Sequence, residues 1–345
     1  MSSVRATGQG PLPGTDPLES TRIIRGELGA PHLPHLIQLP DRGVGSDALG
    51  RTASLLTELY VDVQPHGWRL TDRPGRDYRR AVSALSTDLG VLGDVIGTAG
   101  NAPGALKVQL RGPLSLSVGI SLHHGEKILS DVGARRDLAD SLADGAAKHV
   151  HDVQRVTGAT PLTVVVEEPE AAAVLGGAVP TASGYRNLRA VDRQEAAKHW
   201  KGLVQGLREA GAETVVLAPG TGFPAGGPSW PELITDSLAA GFDTVCLDGQ
   251  RAELAAWERC AELVDQGGQL WLETLNPEQE LLGVKAAVQA VHRRFRMLGL
   301  PDALLGAVTL MPAPGLETTT PETTRRVLRR ITQTAEALDQ VRLGG

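Results

Sequence analysis

The sequence predicts an α/β protein built as a (β/α)8 TIM barrel, with an insertion in its N-terminal half and extra helices. Short β-rich runs alternate with longer amphipathic stretches along the 345 residues, which is the order expected of a parallel sheet covered by helices. About eight strands can be counted, as in a closed barrel. Several of them are apolar throughout, as in "LTVVV" at 162–166, which is typical of strands buried on both faces.

Two patterns of hydrophobic residues, the short β-rich runs of strands and the 3.6-residue spacing of helices, divide the chain into alternating elements. β-rich runs predict strands at residues 4–7, 35–38, 107–111, 162–167, 214–218, 244–248, 269–274 and 307–311. Helical spacing predicts helices at residues 17–28, 47–60, 77–96, 136–157, 193–210, 230–240, 252–265, 278–298 and 321–341. Each predicted strand is therefore followed by one or more helices.

The whole chain, 1–345, is expected to form one domain, since barrels of about 250 residues and more fold as single units. Residues 43–104, which include "VQPHGWRLTDRPGRD", are expected to decorate the barrel. The glycine-rich stretch at 218–230 lacks the Lys-Ser/Thr of a P-loop and the dinucleotide spacing. We interpret it as a flexible loop at the mouth of the barrel.

The composition limits the class of protein. Hydrophobic residues make up 41% and charged residues 21%, with a net charge of −6, so a folded chain that does not bind nucleic acid is expected. Only Cys246 and Cys260 are present, too few for a disulfide framework. No signal peptide or membrane-spanning run is recognisable. We therefore expect a cytoplasmic protein that does not bind membranes and that acts on a small molecule.

Several predicted strands end in a polar residue just before a turn. The stretches "QLRGP", "VVVEEPE", "VCLDGQ" and "WLETLNP" place Arg111, Glu167, Asp248 and Glu273 at such ends. In a barrel these positions line the C-terminal mouth, where substrates bind. Glu167 and Glu168 are adjacent on a strand, so one faces the pocket and the other is expected to satisfy a helix N-terminus or an arginine.

The order of three motifs resembles the C-terminal catalytic barrel of cobalamin-independent methionine synthase. They are "LRGP" at 110–113, "VEEP" at 166–169 and "MPAPGL" at 311–316, and the stretch "TGQGPLPGT" at 7–15 resembles that family's opening strand and loop. The family belongs to a wider group of barrels that includes uroporphyrinogen decarboxylase. The resemblance implies the same barrel and a methyl or other one-carbon transfer to a small thiol or amino-acid-like substrate.

The resemblance also implies a zinc ion that binds the substrate thiolate, held by a His and a Cys after the fifth strand, a Glu after the sixth and a Cys after the eighth. Here the fifth strand is followed by "APGTG", Asp248 stands near the place of the glutamate, and Pro314 stands where the last cysteine is expected. Three of the four ligands are missing, so we predict no metal site of the family type.

The family's substrate grip is also altered. Glu167 keeps the acidic charge that holds the substrate amino group, Gln9 stands near a serine of the opening loop, and Trp68 stands where a glutamate follows a His-Gly pair. Arg111 replaces a small hydroxyl residue, and its guanidinium suits a carboxylate or phosphate. Two roles of Arg111 are therefore possible, as a residue that binds the ligand or as the structural partner of Glu167. Trp68 likewise has two possible roles, as a pocket wall or as core.

The sequence thus predicts catalytic roles for Glu167 and Asp248, and substrate contacts for Gln9, Arg111, Trp68, Glu273 and Pro314. The methyl donor implied by the resemblance is a folate or a methylcorrinoid, and a methyl-donor protein or a second copy of the chain is an expected partner. The alternatives are a barrel that binds or regulates without catalysis, and a decarboxylase-like enzyme with Arg111 on a carboxylate.

Overall fold

A computed structural model describes residues 3–100, 103–220, 222, 224, 226–277 and 283–344. Its strands are β1 (Arg5–Ala6), β2 (Tyr60–Gln64), β3 (Gly67–Thr71), β4 (Leu106–Arg111), β5 (Ile120–Ser121), β6 (Leu162–Glu167), β7 (Thr214–Ala218), β8 (Thr244–Asp248), β9 (Leu270–Leu275) and β10 (Val308–Pro312). Seven of them form one sheet in the order β1-β10-β9-β8-β7-β6-β4. All neighbours in this sheet are parallel, as the sequence predicts.

The sheet is curled, because its two edge strands approach the same stretch of chain. The backbone N–H of Leu33 donates to Ala6 O at the end of β1 (2.8 Å), and the N–H of Leu36 donates to Lys107 O in β4 (2.9 Å). Residues 35–38, predicted as a strand, make isolated parallel bridges instead. Pro34 explains part of this difference, because a proline has no N–H to offer to a ladder.

Helices follow the strands and cover the sheet. They are α1 (Pro17–Glu27), α2 (Ala48–Ala53), α3 (Arg76–Ala99), α4 (Pro113–Gly119), α5 (Val132–Thr157), α6 (Ala171–Leu175), α7 (Arg193–Glu209), α8 (Trp230–Ala239), α9 (Leu254–Asp265), α10 (Val284–Met297) and α11 (Pro321–Gly344). The first residues of the helix predicted at 278–298 lie outside the described part of the chain. None of the helices traced through the described residues has the length and apolar character to cross a bilayer.

Polar side chains at the starts of the helices explain where several of them begin. Asp131 accepts the backbone N–H of Ala134 at the start of α5, and Asp192 accepts that of Gln194 at the start of α7. Ser229 and Glu232 form a reciprocal capping box at the start of α8. These contacts satisfy N–H groups that have no partner within the helix itself.

The helix predicted at 47–60 is wrong beyond Ala53. The chain leaves α2 there, passes Glu58 with φ of 61° and enters the hairpin of β2 and β3, which pair antiparallel. The alternation in "YVDVQ" suits a strand, and Gly67 at φ 106° closes the hairpin turn, a backbone conformation that favours glycine. β5 pairs parallel with β3 and completes a second, three-stranded sheet.

Apolar residues on the two faces of the main sheet pack in two separate clusters. Val164 and Val166 of β6 belong to the large cluster formed with the surrounding helices. Val165 points the other way and belongs to a small cluster enclosed by the curled sheet, which consists of Leu33, Val165, Val216, Cys246, Trp271 and Met311. We call this second cluster the apolar floor. Burial on both faces accounts for the apolar composition of these strands.

Glu168 of the "VEEP" motif forms hydrogen bonds to the backbone that directly follows the "LRGP" motif. It is fully buried and accepts the backbone N–H of Leu114 on Oε1 (3.0 Å) and that of Ser115 on Oε2 (2.7 Å). Trp200 also donates its indole N–H to Oε1 (2.9 Å). The expectation that one glutamate of the pair satisfies a helix N-terminus is confirmed, because Glu168 caps α4.

Gly112 leaves the space in which the Glu168 carboxyl group lies. A Cβ added at Gly112 would overlap that carboxyl group, although the backbone φ of −77° suits any residue. We therefore predict that Gly112→Ala destabilises the protein by about 1–3 kcal/mol, as overpacking of a filled interior does. Urea unfolding followed by circular dichroism measures the change.

The matched control is Gly97→Ala on α3, where an added Cβ meets nothing within 4 Å. Alanine there should be neutral or stabilising by about 1 kcal/mol, because glycine is a poor helix former. Equal stability of Gly112→Ala and the wild type would contradict the position of Glu168.

Candidate functional site

The carboxyl ends of four strands bring charged side chains to one edge of the curled sheet. Arg111 ends β4 in register with Glu167 at the end of β6. Asp248 ends β8 in register with Glu273 in β9. The edge therefore carries one cation and three carboxyl groups on two pairs of adjacent strands. We call this edge the mouth.

Arg111 and Glu167 form an ion pair that solvent can reach. Arg111 Nε lies 3.6 Å from Glu167 Oε2, and the two side chains are 28% and 14% exposed. Burial raises the pKa of Glu167, and the neighbouring carboxyls of Glu317 and Glu170 add to this, whereas Arg111 and Lys107 oppose it. Both predicted roles of Arg111 are compatible with this geometry, because a partly exposed pair at this distance can exchange partners with a ligand.

Gln9 connects the opening loop to the far side of the mouth. Its Nε2 donates to Glu273 Oε1 (3.0 Å) and to the carbonyl oxygen of Pro312 (2.7 Å). Its backbone carbonyl accepts a hydrogen bond from Lys107 Nζ (2.8 Å). Gln9 thus joins β4, β9 and β10 across the interior of the curled sheet.

Lys107 is the residue that the sequence analysis missed. It is fully buried in β4, and burial lowers its pKa to about 7, although the charge of Glu167 opposes the shift. A signal was present, because Lys107, Gln109 and Arg111 alternate with apolar residues and so form one polar face of a strand. Only Arg111, at the strand end, was singled out.

Glu273 has the electrostatic character of an acid–base group. The residue is 9% exposed, and burial raises its pKa to about 7, with the nearby charge of Asp248 adding to the effect. Hydrogen bonds from Gln9 and from the Cys246 thiol, whose Sγ lies 3.7 Å from Oε1, oppose it. A carboxyl group that titrates near neutral pH can both accept and donate a proton in a reaction.

Sulfur atoms lie directly beneath Glu273. Cys246 Sγ is 3.2 Å from Met311 Sδ, and both residues belong to the apolar floor. Burial raises the pKa of the Cys246 thiol well above its ordinary value, and Glu273 adds to the shift. Cys246 is therefore a protonated thiol that supports Glu273 and not a thiolate nucleophile.

Asp248 takes part in the turn that follows its own strand. Its Oδ1 accepts the backbone N–H groups of Gln250 and Arg251, both at 2.9 Å, and its side chain is 12% exposed. A cavity of about 450 Å³ lies beside it and is bounded on the other side by Ser229 and Trp230 at the end of the glycine-rich stretch. Asp248 borders the mouth and also shapes the loop around it.

Three buried polar atoms near the opening loop have no hydrogen-bond partner among the described residues. They are His35 Nε2, Gln38 Oε1 and Gln109 Oε1. Burial lowers the pKa of His35 to about 3, and the charge of Lys107 adds to this, so the imidazole is neutral at pH 7. Buried polar atoms are normally paired, and these three lie in the interior, out of contact with solvent.

The structure does not bring Trp68 together with these side chains. Trp68 lies in the three-stranded sheet in register with Val63 and Ile120, and it is 6% exposed. A Cβ added at Gly50 would lie 2.9 Å from the Trp68 ring, so the indole packs against α2. The predicted pocket contact of Trp68 stays a prediction, and its position is that of a core residue.

Pro314 lies on the corner that follows β10 and is exposed. The same corner carries Ala313, whose N–H donates to Leu275 O at the end of β9 (2.7 Å), and Glu317, whose charge reaches Glu167. The corner therefore borders the mouth, as expected of the exit of the last strand. In the described ranges no three His, Cys, Asp or Glu side chains are grouped so as to hold a metal ion.

Comparison with known proteins supports the fold. No family model matches this sequence, and no curated protein sequence matches it either. Among solved structures, a B12-independent methionine synthase from Shewanella sp. W3-18-1, in complex with selenomethionine, superposes over 100% of both chains with a TM-score of 0.61 and 11% identity. A methyltransferase from Methanosarcina mazei covers 97% of this chain and 94% of its own, with a TM-score of 0.55 and 10% identity. At these identities the likeness shows the fold alone, an α/β fold with barrel-like neighbours.

The raised pKa of Glu273 predicts a specific pH dependence of stability. In the folded state the Glu273 carboxyl group stays protonated up to about pH 7, whereas the ordinary pKa of a glutamate is 4.5. Stability from this group is thus fully present below pH 4.5 and is lost as the pH rises through 7. We predict that the unfolding free energy of the wild type falls relative to Glu273→Gln by about 3 kcal/mol over this range.

Urea unfolding of both proteins at pH 4.5, 5.5, 6.5 and 7.5 measures the difference. Glu258→Gln, at an exposed position of α9, controls for the removal of a carboxyl group elsewhere. A difference between wild type and Glu273→Gln that stays constant with pH would show that Glu273 is solvated.

Proposed function

We propose that this chain is an enzyme with a complete eight-stranded barrel of the methionine-synthase type. In this proposal it transfers a methyl or other one-carbon group between a donor and a small thiol or amino-acid-like substrate at the mouth. The observation that carries the proposal is an Arg–Glu ion pair and a buried carboxyl group of raised pKa at the same edge of the curled sheet. Such strand ends hold the catalytic groups of barrel enzymes.

The hydrogen bonds of residues 33–38 support closure of the barrel. This stretch bridges to β1 through Leu33 and to β4 through His35, and both bridges are parallel. It therefore occupies the place of the missing eighth strand between the two edges of the curled sheet. The small apolar floor is then the packed interior of the barrel below the mouth.

Arg111 and Glu167 are the proposed grip on the substrate. A guanidinium binds a carboxylate through two parallel hydrogen bonds, and a carboxylate binds an ammonium group. An α-amino acid carries both groups on one carbon atom, so it can insert into the 3.6 Å pair and satisfy each partner. This arrangement favours a zwitterion over a ligand with a single charge.

Glu273 is the proposed general base. As the acceptor sulfur attacks the methyl carbon, the thiol proton passes to the Glu273 carboxylate, and the bond from the methyl group to the donor breaks with its electron pair staying on the donor. Gln9 fixes the carboxyl group by its hydrogen bond, and a pKa of about 7 places Glu273 where it exchanges a proton readily. Asp248 stabilises the loop beside the reacting groups.

The residues present do not fit the zinc ion of the family. Pro219 and Gly220 follow β7, Asp248 is engaged with backbone amides of its own turn, and Pro314 offers no donor atom. Zinc in proteins is bound by several thiolate, imidazole or carboxylate ligands. The proposed reaction therefore contains no step through zinc, and Glu273 takes over deprotonation of the thiol.

A second candidate function is ligand binding without catalysis. The contacts of Asp248 favour this function. Its Oδ1 accepts the backbone N–H groups of Gln250 and Arg251 and so stabilises the loop, which leaves Asp248 a structural and not a catalytic role. The two functions share the grip of Arg111 and Glu167 and differ only in the need for Glu273.

The proposal predicts that L-methionine, at 100 times its dissociation constant, stabilises the protein by about 2.7 kcal/mol. Arg111→Met and Glu167→Gln should abolish this stabilisation, because each removes one charge of the grip. Glu273→Gln should still bind L-methionine but should lose at least about 100-fold in the formation of methionine from L-homocysteine and a methyl donor. Thermal unfolding measures binding, and mass spectrometry measures the product with 5-methyltetrahydrofolate or methylcobalamin as donor.

Arg293→Met, at an exposed position of α10, is the control for loss of an arginine. Two analogues sharpen the test, because 3-(methylthio)propylamine lacks the carboxylate and 4-(methylthio)butanoate lacks the ammonium group. Stabilisation by either analogue equal to that by L-methionine would contradict the grip. Binding of L-methionine without turnover by the wild type would favour the second function.

A further inference from the structure

A groove on the outside of the barrel lies between α3, α5 and the chain that leads from α2 into β2. Its volume is about 680 Å³, which is within the range of small-molecule sites. Apolar side chains from all three segments line it, including Leu55, Leu89 and Val156. None of the charged side chains of the mouth is among its lining residues, so this groove, which we call the α3–α5 groove, is a separate cavity.

His149 presents an unused hydrogen-bonding group in the α3–α5 groove. It lies on α5, is 6% exposed and lines the groove. Its ring has no hydrogen-bond partner within the described part of the chain, and burial, with Arg51 adding, lowers its pKa to about 4. A neutral imidazole carries one donor and one acceptor, so both are left for a molecule in the groove.

Two tyrosines form the aromatic part of the groove. The rings of Tyr60 and Tyr78 are 5.7 Å apart at an angle of 85°, and both line the cavity. Burial raises the pKa of Tyr78, so its hydroxyl stays protonated at pH 7. Edge-to-face packing of this kind accommodates a further ring, because an aromatic ring has a negative face and a positive edge.

The charged residues at the rim of the groove compensate one another. Asp152 accepts hydrogen bonds from Lys148 Nζ (2.7 Å) and from Arg155 Nη2 (2.9 Å). Glu58 adds a second carboxylate to the two cations, so the lining carries no net charge. The groove therefore has no net charge that would attract an ionic ligand.

Glu58 also has an unusual backbone. Its φ of 61° is left-handed, and it is the one non-glycine residue in the described part of the chain with a positive φ. Such conformations are costly for residues other than glycine and are concentrated at functional sites. Here the conformation turns the chain from α2 toward Tyr60 and so shapes one wall of the groove.

We propose that the α3–α5 groove is a binding site for a neutral aromatic molecule that carries a hydrogen-bonding group. The ring packs against Tyr60, Tyr78 and the apolar wall, and its polar group pairs with His149. The site is independent of the mouth and goes beyond the proposed transfer reaction.

The probe that tests this site is N-phenyl-1-naphthylamine, a neutral aromatic amine that becomes fluorescent in apolar surroundings. We expect saturable binding of one probe per chain. Its sulfonated relative 8-anilinonaphthalene-1-sulfonate should bind at least about 5-fold more weakly, because the groove has no net positive charge and the sulfonate would lose its hydration among apolar side chains. The two titrations are run on the full chain under the same conditions.

Two glycines of α3 provide a matched pair of variants. Gly90 lines the groove and Gly97 lies outside it, and an added Cβ meets nothing within 4 Å at either position. Gly90→Phe should weaken N-phenyl-1-naphthylamine binding at least about 10-fold by filling the groove, whereas Gly97→Phe should leave it unchanged. His149→Phe should also weaken it, because the hydrogen bond is lost.

Three results would overturn the proposal. The first is the absence of saturable probe binding to the wild type. The second is a loss of probe binding in Arg111→Met together with full binding in Gly90→Phe, which would place the probe at the mouth. The third is a change of particle mass in sedimentation for Gly90→Phe without a change in probe affinity, which would make the groove an interface between copies of the chain.

Discussion

The buried ammonium group of Lys107 is the constraint on which the mouth depends. An unpaired charge in a protein interior is very costly, and Lys107 meets this cost by donating to the Gln9 carbonyl and by a lowered pKa. The same contact holds the opening loop over the interior, so that the Gln9 side chain reaches Glu273 and Pro312. Three strands and one loop are thus fixed relative to one another by a short chain of hydrogen bonds.

This series of hydrogen bonds divides the interior of the curled sheet into two layers. Below it, Cys246, Trp271 and Met311 fill the interior with apolar contacts. Above it, the side chains of Arg111 and Glu167 stay within reach of solvent. Glu273 lies at the boundary, where it is 9% exposed and burial raises its pKa to about 7. The boundary is the reason that one carboxyl group at this edge acquires acid–base character.

Sequence patterns predicted the order of the elements because alternation and helical spacing are local properties. They failed where geometry depends on distant parts of the chain. The helix predicted at 47–60 ends at Ala53, because the chain then turns into a hairpin that pairs with β5. The alternation of side chains along a strand did predict that Glu167 and Glu168 face opposite sides, and Glu167 contacts Arg111 whereas Glu168 contacts the start of α4. The pairing of Asp248 with Glu273 depends on the register between β8 and β9, and the role of Lys107 depends on a loop nearly a hundred positions earlier.

The most direct measurement is the titration of Lys107 by nuclear magnetic resonance, with lysine labelled at Cε and Nζ and the Lys107→Met variant used to assign the signal. We predict a resonance that titrates near pH 7 and disappears in the variant, since burial of the Lys107 ammonium group beside the Gln9 carbonyl lowers its pKa to about 7. A Lys107 signal that titrates near the ordinary value of 10.5 would mean that water reaches the ammonium group, and would contradict the closed interior beneath the mouth.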